Sequence, residues 1–171
     1  MTLHELLALF TSKNIEYTTA HLDTVNQNAQ LTDVASDSRE VTPGSLFVCK
    51  GAHFSPAYLA SAVEAGAAAY LCQQSLAEKL QAVAPNVAAI CVDDVRLAMA
   101  YAAAGVAGHP DKKLTTIGIT GTKGKSTCSY MLRAILDGDE PYSKCGVIGG
   151  IEVFDGKDTQ PAHNTTPEAP E

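Results

Sequence analysis

The sequence feature that most constrains this chain is a glycine-rich turn that joins an apolar run to an amphipathic segment. The run covers residues 114–120 (LTTIGIT), the turn follows at 121–124 (GTKG), and the amphipathic segment opens with Lys125 and Ser126. A strand, a glycine-rich loop and a helix in this order are typical of a phosphate-binding loop. Glycines let backbone N–H groups turn inward around phosphate oxygens, and the start of the helix adds unpaired donors and partial positive charge. The sequence therefore predicts a phosphate site at the start of this helix.

Two side chains of the loop bear on its chemistry. Lys125 supplies a positive charge for the outer phosphates, and the hydroxyl of Ser126 is suited to hold a magnesium ion. The common pattern is G-x-x-x-x-G-K-[ST]. The position of its first glycine is occupied in this chain by Ile119. The alternative is a glycine-rich turn that binds nothing. Because Gly124 and Lys125 open a predicted helix directly after a predicted strand, phosphate binding is the favoured interpretation.

Composition and charge exclude several classes of protein. The 171 residues are 46% hydrophobic and 18% charged, which is typical of a globular protein with a core. The formal net charge of −7 and the lack of a basic run disfavour a nucleic-acid partner. No apolar stretch is long enough for membrane insertion, and the N-terminus lacks the basic and apolar regions of a secretory signal.

The cysteines indicate the redox environment. There are five of them, an odd number, with no C-x-x-C pair, and most lie in apolar runs. We interpret them as reduced, buried thiols of a cytosolic protein, and we predict neither a zinc site nor a disulfide framework.

Strands and helices are predicted to alternate along most of the chain. Thr2 and Glu5 form the pattern of a capping box before a first amphipathic helix, whereas residues 14–28 show no clear pattern. Gly66 is suited to adopt the left-handed conformation that ends a helix. Asp93 is suited to cap the start of a later helix. Alternation of strands with helices predicts an α/β fold with a mostly parallel sheet. The predicted strands cover 31–34, 45–50, 67–72 and 87–92, and the predicted helices cover 56–65, 76–83 and a long segment after 94.

The polar, proline-containing segment 109–113 is interpreted as a linker between two domains, residues 1–110 and 111–171. The second domain is predicted to contain the strand at 114–120, a helix at 125–136 and a further strand at 145–153 that is interrupted by Gly149 and Gly150. One βα unit with one more strand leaves sheet faces and edges uncovered, so we expect the chain to stop inside its second domain. The alternative is a small complete domain with a disordered tail.

Four segments, which follow one another along the chain in the same order as in the family, resemble the N-terminal part of the Mur ligases. These are the ATP-dependent amide-bond ligases of peptidoglycan precursor synthesis. The segment 163–168 (HNTTPE), with 146–149 (GVIG) before it, resembles the MurE branch. That branch adds the third amino acid to UDP-N-acetylmuramoyl-L-alanyl-D-glutamate. The other three segments are 36–48 (SDSREVTPGSLFV), 92–98 (VDDVRLA) and 118–127 (GITGTKGKST).

This resemblance implies a fold and a reaction. It implies a UDP-sugar-binding αβ domain at 1–110, followed by the start of a P-loop parallel-sheet ATPase domain at 111–171. ATP would phosphorylate the terminal carboxylate of the UDP-linked peptide, and the amine of diaminopimelate or lysine would attack the acyl phosphate. The implied cofactors are ATP and Mg²⁺, and the implied compartment is the cytoplasm. No oligomeric state is predicted.

The resemblance also assigns site residues. Lys125 would be catalytic and Ser126 would ligate the metal. Position 123 departs from the family, which usually has asparagine there, and residues 52–55 match poorly the Asp-Gly stretch that is usual after Gly51. The implied ATP-binding residues are Gly121, Thr122, Lys123, Gly124, Lys125, Ser126 and Thr127. The implied substrate-binding residues are Ser36, Ser38, His53, Asn164, Thr165 and Thr166.

Two other functions stay open at this stage. A folylpolyglutamate synthase shares the T-G-T-x-G-K loop, but about 110 residues precede the loop here, whereas that family's loop lies near its start. A non-catalytic remnant that binds UDP-sugar or ATP without turnover is the second alternative.

Overall fold

The structure, a computed structural model, describes residues 1–22, 28–139, 144–162 and 169. It divides into two compact units, Met1–Leu114 and Thr115–Ala169. The division follows the polar segment that was interpreted as a linker. The functional assignment of the two domains, 1–110 and 111–171, stays a prediction. Among the described residues, no helix is both long and apolar enough to cross a membrane.

The first unit is built around a five-stranded sheet with the order β1-β5-β4-β3-β2. Strands β2 to β5 are parallel, and β1 is antiparallel to β5. The predicted α/β class with a mostly parallel sheet is therefore confirmed here. The elements are α1 (Leu3–Ser12), β1 (Tyr17–Ala20), β2 (Val34–Ala35), β3 (Leu46–Cys49), α2 (Pro56–Glu64), β4 (Ala69–Gln73), α3 (Ala77–Val83), β5 (Ala88–Val92) and α4 (Val95–Val106).

Both faces of this sheet are covered, which explains why its strands are continuous apolar runs. Successive side chains of a strand point to opposite faces, so each strand contributes to two cores. One face packs against α1 and α4, and the other packs against α2 and α3. The first core includes Leu6, Phe10, Leu46, Val48, Leu71, Ile90, Ala98 and Met99. The second includes Phe47, Cys49, Leu59, Tyr70, Cys72, Leu80 and Cys91.

Local signals fix several helix ends. The predicted capping box is confirmed, because Thr2 Oγ1 accepts a hydrogen bond from the Glu5 N–H at 3.1 Å and the Thr2 N–H donates to Glu5 Oε2 at 2.7 Å. Gly66 has the expected positive φ of 99° just after α2. The predicted cap at Asp93 is wrong by one residue. The N-cap of α4 is Asp94, whose Oδ1 accepts from the Leu97 N–H at 3.0 Å, because only the residue next to the first helical position reaches that group.

The cap of α4 leads to a stability prediction. We expect Asp94→Ala to lower the free energy of unfolding by about 1 kcal/mol, since it leaves a helical N–H without its side-chain acceptor. The matched control, Asp93→Ala, removes an exposed carboxylate one residue earlier and is expected to change stability by less than about 0.5 kcal/mol. Urea denaturation followed by circular dichroism measures both, and equal losses in the two variants would contradict the assignment.

The second unit contains α5 (Lys125–Asp137) and three short strands, β6 (Val147–Ile148), β7 (Glu152–Phe154) and β8 (Thr159–Pro161). The strand predicted at 114–120 is wrong: residues 115–120 form no strand, and none of the described strands of this unit pairs with them. The strand predicted at 145–153 is interrupted at Gly149 and Gly150 as expected, and the two pieces, β6 and β7, pair antiparallel.

The helix of the second unit is amphipathic as predicted, but its apolar side chains are not buried. None of the residues of α5 is buried, and the side chains of Met131 and Ile135 are 61% and 74% exposed. Arg133 instead makes the specific contacts of this helix. It lies over the ring of Phe154 and pairs with Asp137 at 3.3 Å.

Candidate functional site

The predicted phosphate loop is a left-handed turn that opens directly into α5. Gly124 is the N-cap with φ 78° and ψ −2°, and Gly121 has φ 153°. Both values lie where residues with a β-carbon are strained, so the glycines permit this turn. Gly124 has no side chain to cap α5, and residues 121–125 are exposed. The first N–H groups of a 13-residue helix therefore lie at an exposed loop, which is an arrangement that suits an anion.

Lys125 is folded back over this loop. Its ammonium Nζ donates a hydrogen bond to the carbonyl oxygen of Gly121 at 2.7 Å. The contact joins the first residue of the helix to the first glycine of the turn, so the positive charge lies beside the turn instead of extending into solvent. An ammonium has three donors, so this bond leaves two for phosphate oxygens.

Ser126, the predicted metal ligand, is half-buried at the second position of α5. Within residues 1–22, 28–139, 144–162 and 169, no group of three or more His, Cys, Asp or Glu side chains could hold a metal ion. A single hydroxyl fits Mg²⁺ only together with phosphate oxygens and water, which is how this ion is commonly bound beside nucleotides. The remaining predicted ATP-binding residues, Thr122, Lys123 and Thr127, are exposed around the same turn.

The predicted substrate residues of the first unit lie at one edge of the parallel sheet. Ser36 and Ser38 follow β2, and His53 follows β3. These two strands are parallel neighbours, so their carboxyl ends meet at the same edge. Both serines are half-buried and His53 is exposed. The other predicted substrate residues, Asn164, Thr165 and Thr166, lie outside the described residues.

An ion pair fixes the turn that contains Ser38. One carboxylate oxygen of Asp37 accepts from the backbone N–H of Arg39 and from its Nε, both at 2.9 Å, and the other accepts from the guanidinium as well. The Arg39 guanidinium and its backbone N–H lower the pKa of the Asp37 carboxyl to about 2. The ion pair joins the two residues that flank Ser38, and so it fixes the position of Ser38 at the sheet edge.

The pair can be tested by its titration. We expect Arg39→Ala to raise the pKa of Asp37 from about 2 toward its ordinary 3.8, because the largest cause of the lowering is the arginine side chain. Carbon-detected NMR titration measures this shift, and Glu40→Gln serves as a neighbouring control with no expected effect on Asp37. Because the folded pKa is lowered, the pair stabilises the folded chain above its ordinary pKa, and this small contribution is lost as the pH falls toward 2. An unchanged pKa in Arg39→Ala would contradict the ion pair.

Sequence reasoning missed an aromatic pair at the start of α2. The rings of Phe54 and Tyr58 meet edge to face with centroids 6.4 Å apart, and Tyr58 is 49% exposed. The spacing of four residues at the start of a predicted helix was the signal that could have found the pair.

Comparisons with known proteins come from relatives and from solved structures. No protein-family model matches the chain. A curated relative from Caldanaerobacter subterraneus subsp. tengcongensis, named UDP-N-acetylmuramoyl-L-alanyl-D-glutamate–2,6-diaminopimelate ligase, is 37% identical over 146 residues, which cover 84% of this chain and 29% of the relative. The chain belongs to the Mur ligase family. A Mur ligase from Bifidobacterium longum, named UDP-N-acetylmuramyl-tripeptide synthetase, is 37% identical over 80% of the chain and 25% of its own length.

A solved structure agrees with the Mur ligase fold. It is titled as a UDP-N-acetylmuramoyl-L-alanyl-D-glutamate–2,6-diaminopimelate ligase, covers 99% of this chain and 31% of its own, and has a TM-score of 0.61 at 20% identity. The predicted family is thus confirmed, and so is the α/β class with a mostly parallel sheet for the first unit. The described strands of the second unit pair antiparallel, whereas the start of a parallel sheet was predicted there. The chain spans less than a third of the length of these Mur ligases. The predicted site residues stay predictions.

Proposed function

We propose that this chain carries the UDP-sugar-binding domain and the ATP phosphate loop of a Mur ligase of the MurE branch. Such an enzyme joins a third amino acid, diaminopimelate or lysine, to UDP-N-acetylmuramoyl-L-alanyl-D-glutamate in the cytoplasm, where ATP and nucleotide-linked precursors are found. The relatives are named for this ligation or for synthesis of the tripeptide product. The observation that carries the proposal is the exposed turn at the start of α5, with the Lys125 ammonium folded over it.

The loop has a defined part in this reaction. Backbone N–H groups of residues 121–127 would bind the phosphates of ATP, and the Lys125 ammonium would move from the Gly121 carbonyl to the phosphoryl group that is transferred. There it offsets negative charge that develops as the peptide carboxylate attacks phosphorus. Ser126 would hold Mg²⁺, which when bound neutralises charge on the phosphates. These are effects of position and charge, and they need no covalent bond to the protein.

The edge of the sheet at the carboxyl ends of β2 and β3 carries hydrogen-bond donors for the second nucleotide, the UDP of the sugar substrate. Ser36, Ser38 and His53 present hydroxyl and imidazole groups at the carboxyl ends of β2 and β3, a place where parallel α/β sheets commonly bind ligands. We assign to them the UDP-sugar substrate. Asn164, Thr165 and Thr166 are assigned to the same substrate from the family motif.

Binding of the two nucleotides tests the proposal. In amide NMR spectra of the chain, we expect ATP with Mg²⁺ to shift residues 121–127, and UDP-N-acetylmuramoyl-dipeptide to shift residues 36–39 and 50–54. ATP shifts confined to other residues would contradict the assignment of the loop.

A second candidate, which the sequence leaves open, is a nucleotide-binding remnant that does not catalyse the ligation. The chain would be mixed with ATP, Mg²⁺, the UDP-linked dipeptide and either diaminopimelate or lysine, and phosphate and UDP-tripeptide would be measured. Product formation supports the ligase, and UDP-substrate binding without product supports the remnant. A preference for folate substrates would contradict both.

A further inference from the structure

The segment that contains the phosphate loop differs in charge from the rest of the chain. The whole chain has 19 acidic and 12 basic side chains, and its formal net charge is −7. Residues 112–136 contain no acidic side chain, although they carry four lysines and one arginine. Two of these, Lys123 and Lys125, belong to the loop itself. The loop therefore lies within a positively charged segment of an acidic chain, and such a local field attracts anions.

The two lysines of the loop lie on one tight turn. A β-carbon built on Gly121 would lie 3.4 Å from the backbone carbonyl oxygen of Lys123, so the chain at residue 123 approaches Gly121 closely. The carbonyl oxygen of the same glycine accepts the hydrogen bond from the Lys125 ammonium at 2.7 Å. Gly121 therefore contacts the backbone of one lysine and the side chain of the other, and both lysines lie beside the exposed start of α5.

The ammonium of Lys123 has no partner within the part of the chain that the structure describes. Lys125 donates to Gly121, whereas Lys123 makes no hydrogen bond and no ion pair with any of those residues, and it is exposed. An ammonium has three donors and no acceptor, so all three donors of Lys123 are available to an anion. The reaction proposed above uses the ammonium of Lys125 but only the backbone N–H of Lys123.

The two loop lysines and a magnesium ion act on the same negative charge. Mg²⁺ is doubly positive, and when it is bound it neutralises part of the charge of a triphosphate. The ammonium groups of Lys123 and Lys125 together carry the same formal charge. Hydrogen bonds from a cation to phosphate oxygens are also stronger than those between neutral groups. A loop with two ammonium groups therefore depends less on the metal to hold a triphosphate than a loop with one ammonium group does.

We propose that Lys123 is a second triphosphate-binding cation of the loop, through which the chain retains its affinity for ATP when Mg²⁺ is absent. This inference rests on the function proposed above, and it adds to that function a binding side chain and a weak dependence of binding on the metal. The Lys123 ammonium donates to oxygens of the triphosphate, while the Lys125 ammonium contacts the phosphoryl group that is transferred. No bond forms or breaks at Lys123, so its effect is on the binding of ATP.

Calorimetric titration of the whole chain with ATP tests this role of Lys123. Two buffers of equal ionic strength are used, one with excess Mg²⁺ and one with EDTA. We expect Lys123→Ala to weaken ATP binding about tenfold in EDTA, since a charge-assisted hydrogen bond is lost. With Mg²⁺ the loss is expected to stay below about threefold, because the metal then neutralises charge that Lys123 otherwise faces. Lys123→Arg keeps the charge and is expected to stay within about threefold of the unchanged chain in both buffers.

A second ligand and a control variant make the result specific. Inorganic tripolyphosphate has the phosphates without the nucleoside, so Lys123→Ala is expected to weaken its binding in EDTA about as much as that of ATP. Lys157→Ala removes an exposed lysine outside the loop and is expected to change neither affinity by more than about twofold.

The outcomes separate this inference from the proposed function. A loss with ATP but not with tripolyphosphate, equal losses with and without Mg²⁺, or a loss no larger than that of Lys157→Ala would overturn the role of Lys123. In each of these cases the proposed function stands if the unchanged chain binds ATP and Lys125→Ala weakens that binding. An unchanged chain that does not bind ATP in excess Mg²⁺ would contradict the proposed function, and the role of Lys123 with it.

Discussion

Replacing Lys125 with alanine is expected to weaken binding of ATP with Mg²⁺ about 100-fold, because a hydrogen bond to a charged group contributes about 1.5–3 kcal/mol. The ammonium lies over the turn on the Gly121 carbonyl, within the segment whose backbone N–H groups would bind the phosphates. Isothermal titration calorimetry of the chain measures the affinity. Because Lys125 is exposed at the start of α5, its replacement is expected to leave the fold intact, and circular dichroism checks this.

A matched variant gives this experiment its control. Lys157→Ala removes an exposed lysine from the turn between β7 and β8, where the backbone N–H of residue 157 donates to Asp155 Oδ1 at 2.8 Å and is kept in the variant. Lys157→Ala removes one positive charge, as Lys125→Ala does. Its affinity for ATP is expected to stay within about twofold of that of the unchanged chain, since screened charges outside the binding loop act weakly. Equal effects of Lys125→Ala and Lys157→Ala would show that the loop lysine does not contact the triphosphate.

Phe47→Ala is expected to lower the free energy of unfolding of the first unit by about 3–5 kcal/mol. Phe47 lies on β3 between two parallel neighbours, is only 1% exposed, and belongs to the core beneath α2 and α3. Its removal leaves a cavity in that core and forfeits the transfer of a large apolar side chain from water. Urea denaturation followed by circular dichroism measures the change.

Tyr58→Ala is the matched aromatic truncation for this prediction. Tyr58 is on α2 and is 49% exposed, so its removal is expected to cost less than about 1 kcal/mol. A cost below about 1 kcal/mol for Phe47→Ala as well would contradict the packing of β3 between two helical layers.

Much of the first unit follows from local patterns. The apolar run at 45–50 contains β3, the run at 87–92 contains β5, and the run at 67–72 covers β4 except its last residue; the segments between them contain α2 and α3. Thr2 with Glu5 and the left-handed Gly66 were predicted from side-chain type alone and are confirmed. These features depend on residues within a few positions of each other, so the sequence displays them directly. The loop at 121–124 is likewise a local turn that glycine permits.

Tertiary structure decided which strands pair and which thiols meet. Residues 14–28 showed no pattern, yet β1 forms at Tyr17–Ala20 because β5 offers it an edge to pair with. Residues 115–120 have a good strand sequence and form no strand, because the described part of the second unit offers no partner. The contact of Cys72 with Cys91 depends on the register of β4 and β5, two segments nineteen residues apart along the chain.

The sequence by itself determined the alternation of elements, the helix caps and the glycine turn at Lys125, because each depends on hydrogen bonds and dihedral angles within one short segment. The tertiary structure alone decided the sheet order, the sheet edge shared by Ser38 and His53, and the contact between Cys72 and Cys91. Inside a sheet the backbone groups of one strand are satisfied by its neighbouring strands, and the residues of that strand do not specify which strands those are.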